Sequence, residues 1–294
     1  MAKRSLLTGD DRRPRLHAAV FVCLLAFASC RAPEPLATQR DDLGRAVAMP
    51  RDITRVVSLA ANVTEMIYAV GAEEKLVGTD DFSNYPAAAR ALPKVGGMQP
   101  NVERIIALRP DLVFASSEGN MPNIEPPLKA AGIPIYVVRT DRLSEIAPAM
   151  ERIGALLGAE QRAIAATELR LHIAAQRRMR VNHPRVLFAV WADPLYVAGR
   201  ATFTDDLFAL AGAQNAVQVT GWPQYSLESL AAHPPDLVLH PRKSVTRAEI
   251  DAMLARVPGV HPRVVAVDED IFQRPGPRVV DAAKELNAIL DAQR

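Results

Sequence analysis

Two glutamates, a set of loop aromatics and one cysteine are the side chains whose type and setting point to chemistry. Glu103 and Glu228 sit in two similar phrases, Val102-Glu103-Arg104-Ile105-Ile106-Ala107-Leu108-Arg109-Pro110-Asp111-Leu112-Val113 and Leu227-Glu228-Ser229-Leu230-Ala231-Ala232-His233-Pro234-Pro235-Asp236-Leu237-Val238, 125 positions apart. Each follows a cap-type residue, Asn101 or Ser226, by two positions, where a carboxylate favours the helix dipole by roughly 0.3–1 kcal/mol. Helix stabilisation and an outward binding role are both open to them. Phe82, Tyr85, Trp191, Tyr196, Trp222, Tyr225 and Phe272 fall in predicted loops, where a core seldom places aromatics and a large flat ligand would find faces to stack on. No G-x-S-x-G, H-E-x-x-H, C-x-x-C, Walker A or G-x-G-x-x-G motif is present. A metal-dependent hydrolase or lyase would draw on Asp80, Asp81, His240 and Asp270, but nothing spaces them as a coordination shell, and the six histidines are scattered. Those absences exclude only recognisable chemistries; an enzyme is the lesser expectation, and no resident cofactor or metal is expected.

The elements that must position these residues read as α/β. Strand candidates are Val56–Leu59, Leu76–Gly78, Leu112–Ala115, Ile135–Val138, Val186–Val190, Leu237–His240 and Val264–Val267, alternating with amphipathic segments. In each phrase proline ends a helix, Asp111 or Asp236 marks the turn, and a Leu-Val run enters a sheet covered on both faces. Upstream, Tyr68-Ala69-Val70-Gly71-Ala72 is answered by Ala209-Leu210-Ala211-Gly212-Ala213, each a helix end with a C-cap glycine. Two related lobes explain this repetition, convergence on a common helix-turn-strand phrase being the alternative. Lobe one carries an insertion containing Asp80-Asp81-Phe82-Ser83-Asn84-Tyr85-Pro86. Between the lobes no proline occurs from Ala149 to His183, and Ala159–Val181 is predicted as one helix of about 23 residues, either a rigid interlobe spine or a surface helix.

The chain has 294 residues, 49% hydrophobic and 23% charged, which suits one large or two ordinary domains. The net charge is +2, and Lys3, Arg4, Arg12, Arg13 and Arg15 against Asp10 and Asp11 supply more than all of it, so no basic footprint for nucleic acid remains. Ala18–Ser29 is an uncharged apolar run behind Arg12, Arg13 and Arg15, too short to span a bilayer comfortably, and reads as a secretory signal. Phe27-Ala28-Ser29-Cys30 resembles a bacterial lipoprotein signal, with Cys30 as the lipidation site and the following residues as a tether. An ordinary signal with a chance cysteine is the alternative. The expected organisation is 1–29 signal peptide, 30–51 tether, 52–142 N-terminal lobe, 143–183 interlobe segment with its helix, and 184–294 C-terminal lobe. The exported chain would keep Cys30 alone, form no internal disulfide, and stay soluble at a membrane surface as an anchored periplasmic lipoprotein.

Over Ile53–Ala292 the chain resembles the substrate-binding proteins of bacterial importers for cobalamin, haem and ferric siderophores, and most of all their cobalamin branch. The resemblance rests on Arg55-Val56-Val57-Ser58-Leu59-Ala60-Ala61-Asn62-Val63-Thr64-Glu65, Asp81-Phe82-Ser83-Asn84-Tyr85-Pro86, the phrase from Asn101 to Val113, Trp222-Pro223-Gln224-Tyr225-Ser226-Leu227-Glu228 and Phe272-Gln273-Arg274-Pro275-Gly276-Pro277-Arg278. It implies two α/β lobes of the class III periplasmic-binding-protein kind joined by one long helix, with the ligand in the cleft between them. It also implies Tyr85, Trp222, Phe272, Arg274 and Asp270 as ligand contacts, with Tyr196 and Gln99 as further ones. Glu103 and Glu228 are then the lobe-tip carboxylates that dock on an importer permease with its ATPase subunits, the protein itself being a monomer. Gly97 and Ser116 stand where the cobalamin branch places further tryptophans, which leaves room for another corrinoid or another metal chelate. For a haem receptor the axial candidates are Tyr85, Tyr225 and His240.

Overall fold

The computed structural model describes residues 37–117 and 121–292. The signal segment and Cys30 lie outside them. In chain order the elements are β1 (Ala37–Arg40), β2 (Ala46–Met49), β3 (Val56–Ser58), α1 (Ala61–Ala69), β4 (Leu76–Thr79), α2 (Val102–Ala107), β5 (Leu112–Ser116), α3 (Met121–Ala130), β6 (Ile135–Val138), α4 (Leu143–Leu156), α5 (Arg162–Ala175), β7 (Arg185–Ala192), β8 (Leu195–Val197), α6 (Phe203–Leu210), β9 (Gln214–Asn215), α7 (Leu227–Ala232), β10 (Leu237–Pro241), α8 (Arg247–Ala255), β11 (Arg263–Val267), α9 (Glu269–Phe272) and α10 (Val279–Asp291). All seven predicted strands are present, within a residue or two at their ends.

Lobe one holds a parallel sheet in the order β4-β3-β5-β6, and lobe two repeats it as β9-β7-β10-β11, with β8 added antiparallel to β7. Alternate side chains of these strands go to opposite sides, and both sides are covered. Val56, Leu112, Phe114, Val186, Phe188, Leu237 and Leu239 face one continuous core that also takes in α1, α4 and α10. Val57 and Val113 face a second cluster with α2 and α3, while Leu187 and Val238 face a third with α8. Because the first cluster is shared, the two lobes form one compact unit.

The duplicated phrases have duplicated structures. Asn101 Oδ1 accepts from Arg104 N–H at 2.8 Å to cap α2, and Ser226 Oγ accepts from Ser229 N–H at 3.1 Å to cap α7. Asp111 N–H donates to the Arg55 carbonyl and Asp236 N–H to the Arg185 carbonyl, both at 2.8 Å, so each aspartate ties its strand to the entry of the neighbouring one. After α1 and α6 the chain turns through Gly71 and Gly212 at φ +73° and +72°, with Ala72 and Ala213 N–H groups reaching back to Ile67 and Phe208 carbonyls.

Two expectations are corrected. The helix expected over 159–181 is shorter, α5 at Arg162–Ala175, and it is one of two 14-residue helices in the interlobe segment, separated from α4 by a turn at Gly158, where φ is +68°. They run antiparallel, since Gly154 abuts Arg162 near the turn while Glu151 pairs with Arg170 at 2.8 Å farther along. Alanine-rich composition favours helix throughout, but the Gly158 left-handed turn lets α4 fold back and bury Ile146, Met150 and Ile153 in the shared core. The stretch assigned to a tether is also partly folded. β1 and β2 form an antiparallel hairpin whose Val47 and Met49 are buried, and Asp42 N–H donates to the Val137 carbonyl at the edge of β6.

Candidate functional site

The parallel strands β3, β4, β5, β6, β10 and β11 all end on one cleft. Ala60 follows β3, Asp81 follows β4, Ser117 follows β5, Asp141 lies past β6, Lys243 past β10 and Asp270 past β11, and all six line a cavity of about 630 Å³. Ligands of open parallel sheets bind outside the carboxyl ends of the strands, and here two such sheets face the same space. A smaller extension of about 270 Å³ continues it past Thr140 and Gln273 to Phe203 and Trp222.

The cleft floor is a seam of charged groups contributed by both lobes. Glu65 on α1 is buried and accepts two hydrogen bonds from Arg278, at 3.0 and 2.6 Å, with Arg274 at 3.5 Å. Burial pushes the Glu65 carboxyl up, against the pull of the two guanidinium groups. Asp270 accepts from Asn84 Nδ2 at 2.9 Å, Lys243 Nζ at 2.8 Å and Arg274 at 2.7 Å. Burial opposes its charge, but these partners outweigh it and hold the carboxyl below the usual range. Asp80, fully inside and bonded to Ser83, is pushed up by burial more than Ser83 and Lys94 pull it down.

A second pair mirrors the first across the seam. Arg142 caps α4 and grips Asp206 of α6 in bidentate fashion, its Nε lying 2.8 Å from Oδ2. Counting back from Gly71 and Gly212, Glu65 and Asp206 hold equivalent helix positions, and Arg142 and Arg278 are both N-cap residues of the helix that follows the lobe's last strand, directly or after short α9. Each lobe therefore offers a carboxylate to the other lobe's arginine. One pair is deeply buried; the other leaves the Arg142 side chain 42% exposed.

Of the residues expected to touch ligand, Asp270 and Arg274 line the cleft and Trp222 lines its extension, its ring 6.3 Å from Phe203. Tyr85 is at the rim beside Asn84, half exposed, with the Arg278 guanidinium 4.2 Å from its ring centre. Gln99 is exposed between the cleft residues Met98 and Pro100 but is not itself in the lining. Tyr196 lies on β8 opposite Trp191, outside the cleft. Phe272 is a correction: it is fully buried, stacked parallel to Phe188 at 6.3 Å in the shared core. Short α9 turns Phe272 inward while its neighbours Asp270 and Gln273 face the cleft, a choice of side that four residues of sequence do not display. Tyr225 and His240 are likewise buried, with His240 Nδ1 within hydrogen-bond distance of the Pro241 and Val245 carbonyls, so neither is available as an axial ligand.

Asn62, Met98, Asp141, Lys243 and Gln273 line the site without having been singled out. Their signal was positional, since most lie just past a predicted strand. Phe82, exposed at 47%, covers Gly97, where an added Cβ would meet its ring at 3.1 Å, so phenylalanine occupies space that a side chain at 97 would need. Glu103 and Glu228 are exposed on the first turns of α2 and α7, and neither makes an ion pair among the described residues. Among those residues no group of three or more His, Cys, Asp or Glu is placed to hold a metal ion.

A family model described as periplasmic binding protein matches residues 56–271. The vitamin B12-binding protein of Yersinia pestis is 33% identical over 239 residues, covering 79% of this chain and 84% of the relative. Among solved structures, the apo periplasmic heme-binding protein RhuT from Roseiflexus superposes with a TM-score of 0.72 at 29% identity, covering 80% of this chain and 97% of that one. The periplasmic vitamin B12-binding protein BtuF of Vibrio cholerae gives 0.65 at 27%, covering 83% and 98%. With residues 56–271 matched, the chain belongs to the periplasmic binding protein family and is a solute-binding protein, not an enzyme.

Proposed function

We propose that the protein captures cobalamin or a closely related corrinoid in the interlobe cleft and passes it unchanged to the permease of an ATP-driven importer. The observation that carries the ligand choice is the lining. Among the described residues that line the cleft and its extension there is no histidine, tyrosine or cysteine. Haem iron takes axial ligands of those kinds or methionine from its protein, and of these only Met98 is in that lining, whereas the cobalt of cobalamin arrives with its axial positions filled. Trp222, Phe203 and Phe82 offer apolar faces, and Asn62, Thr140 and Gln273 offer hydrogen bonds suited to amide side chains. Haem is the second reading, favoured by Tyr85, whose half-exposed ring at the rim has a guanidinium behind it. Absorbance and calorimetric titration of the apo-protein with cyanocobalamin, haemin and a ferric catecholate separates them. One-to-one binding of cyanocobalamin, with quenching of Trp222 and recovery of intact ligand, is expected. Haemin binding alone, with an absorption band lost in Tyr85→Phe, would replace the first reading by the second.

Glu103 and Glu228 supply the docking points in the same proposal. They are equivalent in the two repeats and exposed, with no ion pair among the described residues, and rim ion pairs worth about 0–1 kcal/mol set register and encounter rate more than affinity. Glu103→Ala with Glu228→Ala is expected to leave the ligand Kd within about twofold and to abolish uptake in cells. Normal transport by that double variant would remove the assignment. Cys30 is proposed as the acyl anchor, tested by the mass of the exported chain and its loss of membrane association in Cys30→Ser.

A further inference from the structure

The cleft carries an uneven set of charges. Five carboxylates line it, Asp80, Asp81, Asp141, Glu269 and Asp270, against two cations, Lys243 and Arg274. Both cations are already committed. Lys243 and Arg274 bond Asp270, and Arg274 also reaches Glu65 just beneath the floor. Asp81 and Asp141 are exposed, and no cation lies within ion-pair distance of either among the described residues; Asp141 accepts only from the Ser117 hydroxyl, at 3.3 Å. Glu269 accepts from the Lys243 backbone N–H at 2.9 Å, which leaves its charge facing the cleft. Even with Asp80 counted as neutral, because burial disfavours its charge, four carboxylates remain against two cations.

We infer that the cleft selects its chelate by charge, accepting uncharged or cationic corrinoids whose peripheral groups are amides and rejecting those that carry peripheral carboxylates. This rests on the corrinoid reading of the cleft and deepens it. A low-dielectric concavity focuses the field of its lining, so an anionic ligand meets repulsion from Asp81, Asp141 and Glu269 and finds no uncommitted cation to offset it. Amide side chains donate N–H hydrogen bonds to the same carboxylates without that penalty. Two propionates of haem, or the multiple charges of a ferric catecholate, would meet it in full.

The test is a calorimetric series on the full-length protein at low and high salt, with cyanocobalamin, its mono- and tricarboxylic acid derivatives made by amide hydrolysis, and diaquacobinamide. Each added carboxylate is expected to weaken binding by roughly tenfold at low ionic strength and by about two- to threefold in concentrated salt, while cationic diaquacobinamide binds at least as tightly as the neutral ligand. In Asp81→Asn with Asp141→Asn, the ratio between neutral and tricarboxylate affinities is expected to shrink several-fold. Cyanocobalamin and its carboxylates binding equally would overturn the charge selection and leave the corrinoid reading standing. Haemin bound in preference to every corrinoid would overturn both.

Discussion

Asp111 in lobe one and Asp236 in lobe two close the same helix-turn-strand phrase, yet they hold their neighbours unequally. The Asp111 carboxylate accepts from Thr54 N–H and Arg55 N–H at 2.8 Å and from the Thr54 hydroxyl at 2.9 Å. Asp236 accepts from Arg185 N–H at 2.7 Å, and the residue matching Thr54 is Pro184, which has neither an N–H nor a hydroxyl to give. The glycine turns differ in the same manner. A Cβ on Gly212 would stand 2.8 Å from the Arg178 carbonyl oxygen, whereas one on Gly71 would meet only the flexible Gln161 side chain at 3.6 Å. The seam pairs differ most, Glu65–Arg278 being buried and Asp206–Arg142 half open. The two lobes share the placement of these residues, while the number and strength of the contacts each makes follow its local surroundings.

The seam gives the largest expected contrast. Glu65→Ala leaves the buried Arg278 without its carboxylate partner, while Arg274 keeps Asp270, and is expected to cost about 3–5 kcal/mol in denaturant unfolding, against about 1–2 kcal/mol for Asp206→Ala, whose partner can turn to water. Equal losses would mean that the two seam pairs are energetically alike despite their burial. Next come the turns. Gly212→Ala is expected to destabilise by roughly 2–3 kcal/mol and Gly71→Ala by about 1 kcal/mol, since both pay the left-handed backbone strain but only the first also meets a carbonyl.

The smallest contrast lies at the strand entries, where Asp111→Ala is expected to cost about 1–2 kcal/mol and Asp236→Ala no more than about 1 kcal/mol. It also carries a pH signature. Burial opposes the Asp111 charge, but the hydrogen bonds from Thr54 and Arg55 outweigh it and lower the carboxyl from its ordinary 3.8. A depressed carboxyl adds stability above the unfolded-state value and loses it as pH falls through the lower folded-state value. Thermal melts of wild type and Asp111→Asn should therefore differ steadily near neutral pH and converge only in acid below the ordinary range. A difference independent of pH would show that the carboxylate charge contributes nothing.

How far these features were legible follows from the range over which each is specified. The Pro-Asp-Leu-Val phrases, the C-cap glycines and the β-branched runs are local, and the structure shows strands, caps and turns where they stand. Composition was less informative about the interlobe segment, because helix propensity says nothing of the core that rewards folding α4 back on α5. The hairpin of β1 and β2 was hidden for a related reason. Its residues are polar enough for a linker, and only the surface offered by Val137 and Glu125 recruits them.

For the site, sequence by itself determined the strand ends, and with them the segments from which a cleft would be lined, since a parallel sheet exposes its loops at one edge. The family resemblance singled out Asp270, Arg274 and Trp222, which line that cleft or its extension. Tertiary structure decided the direction of each side chain, sending Phe272, Tyr225 and His240 inward and bringing Asp81 and Asp141 to the cleft. It also decided that Glu65 meets Arg278 across the seam, 213 positions away along the chain. Pairing of that kind depends on how two sheets pack about a common core, a relation between distant residues that no local run of sequence encodes.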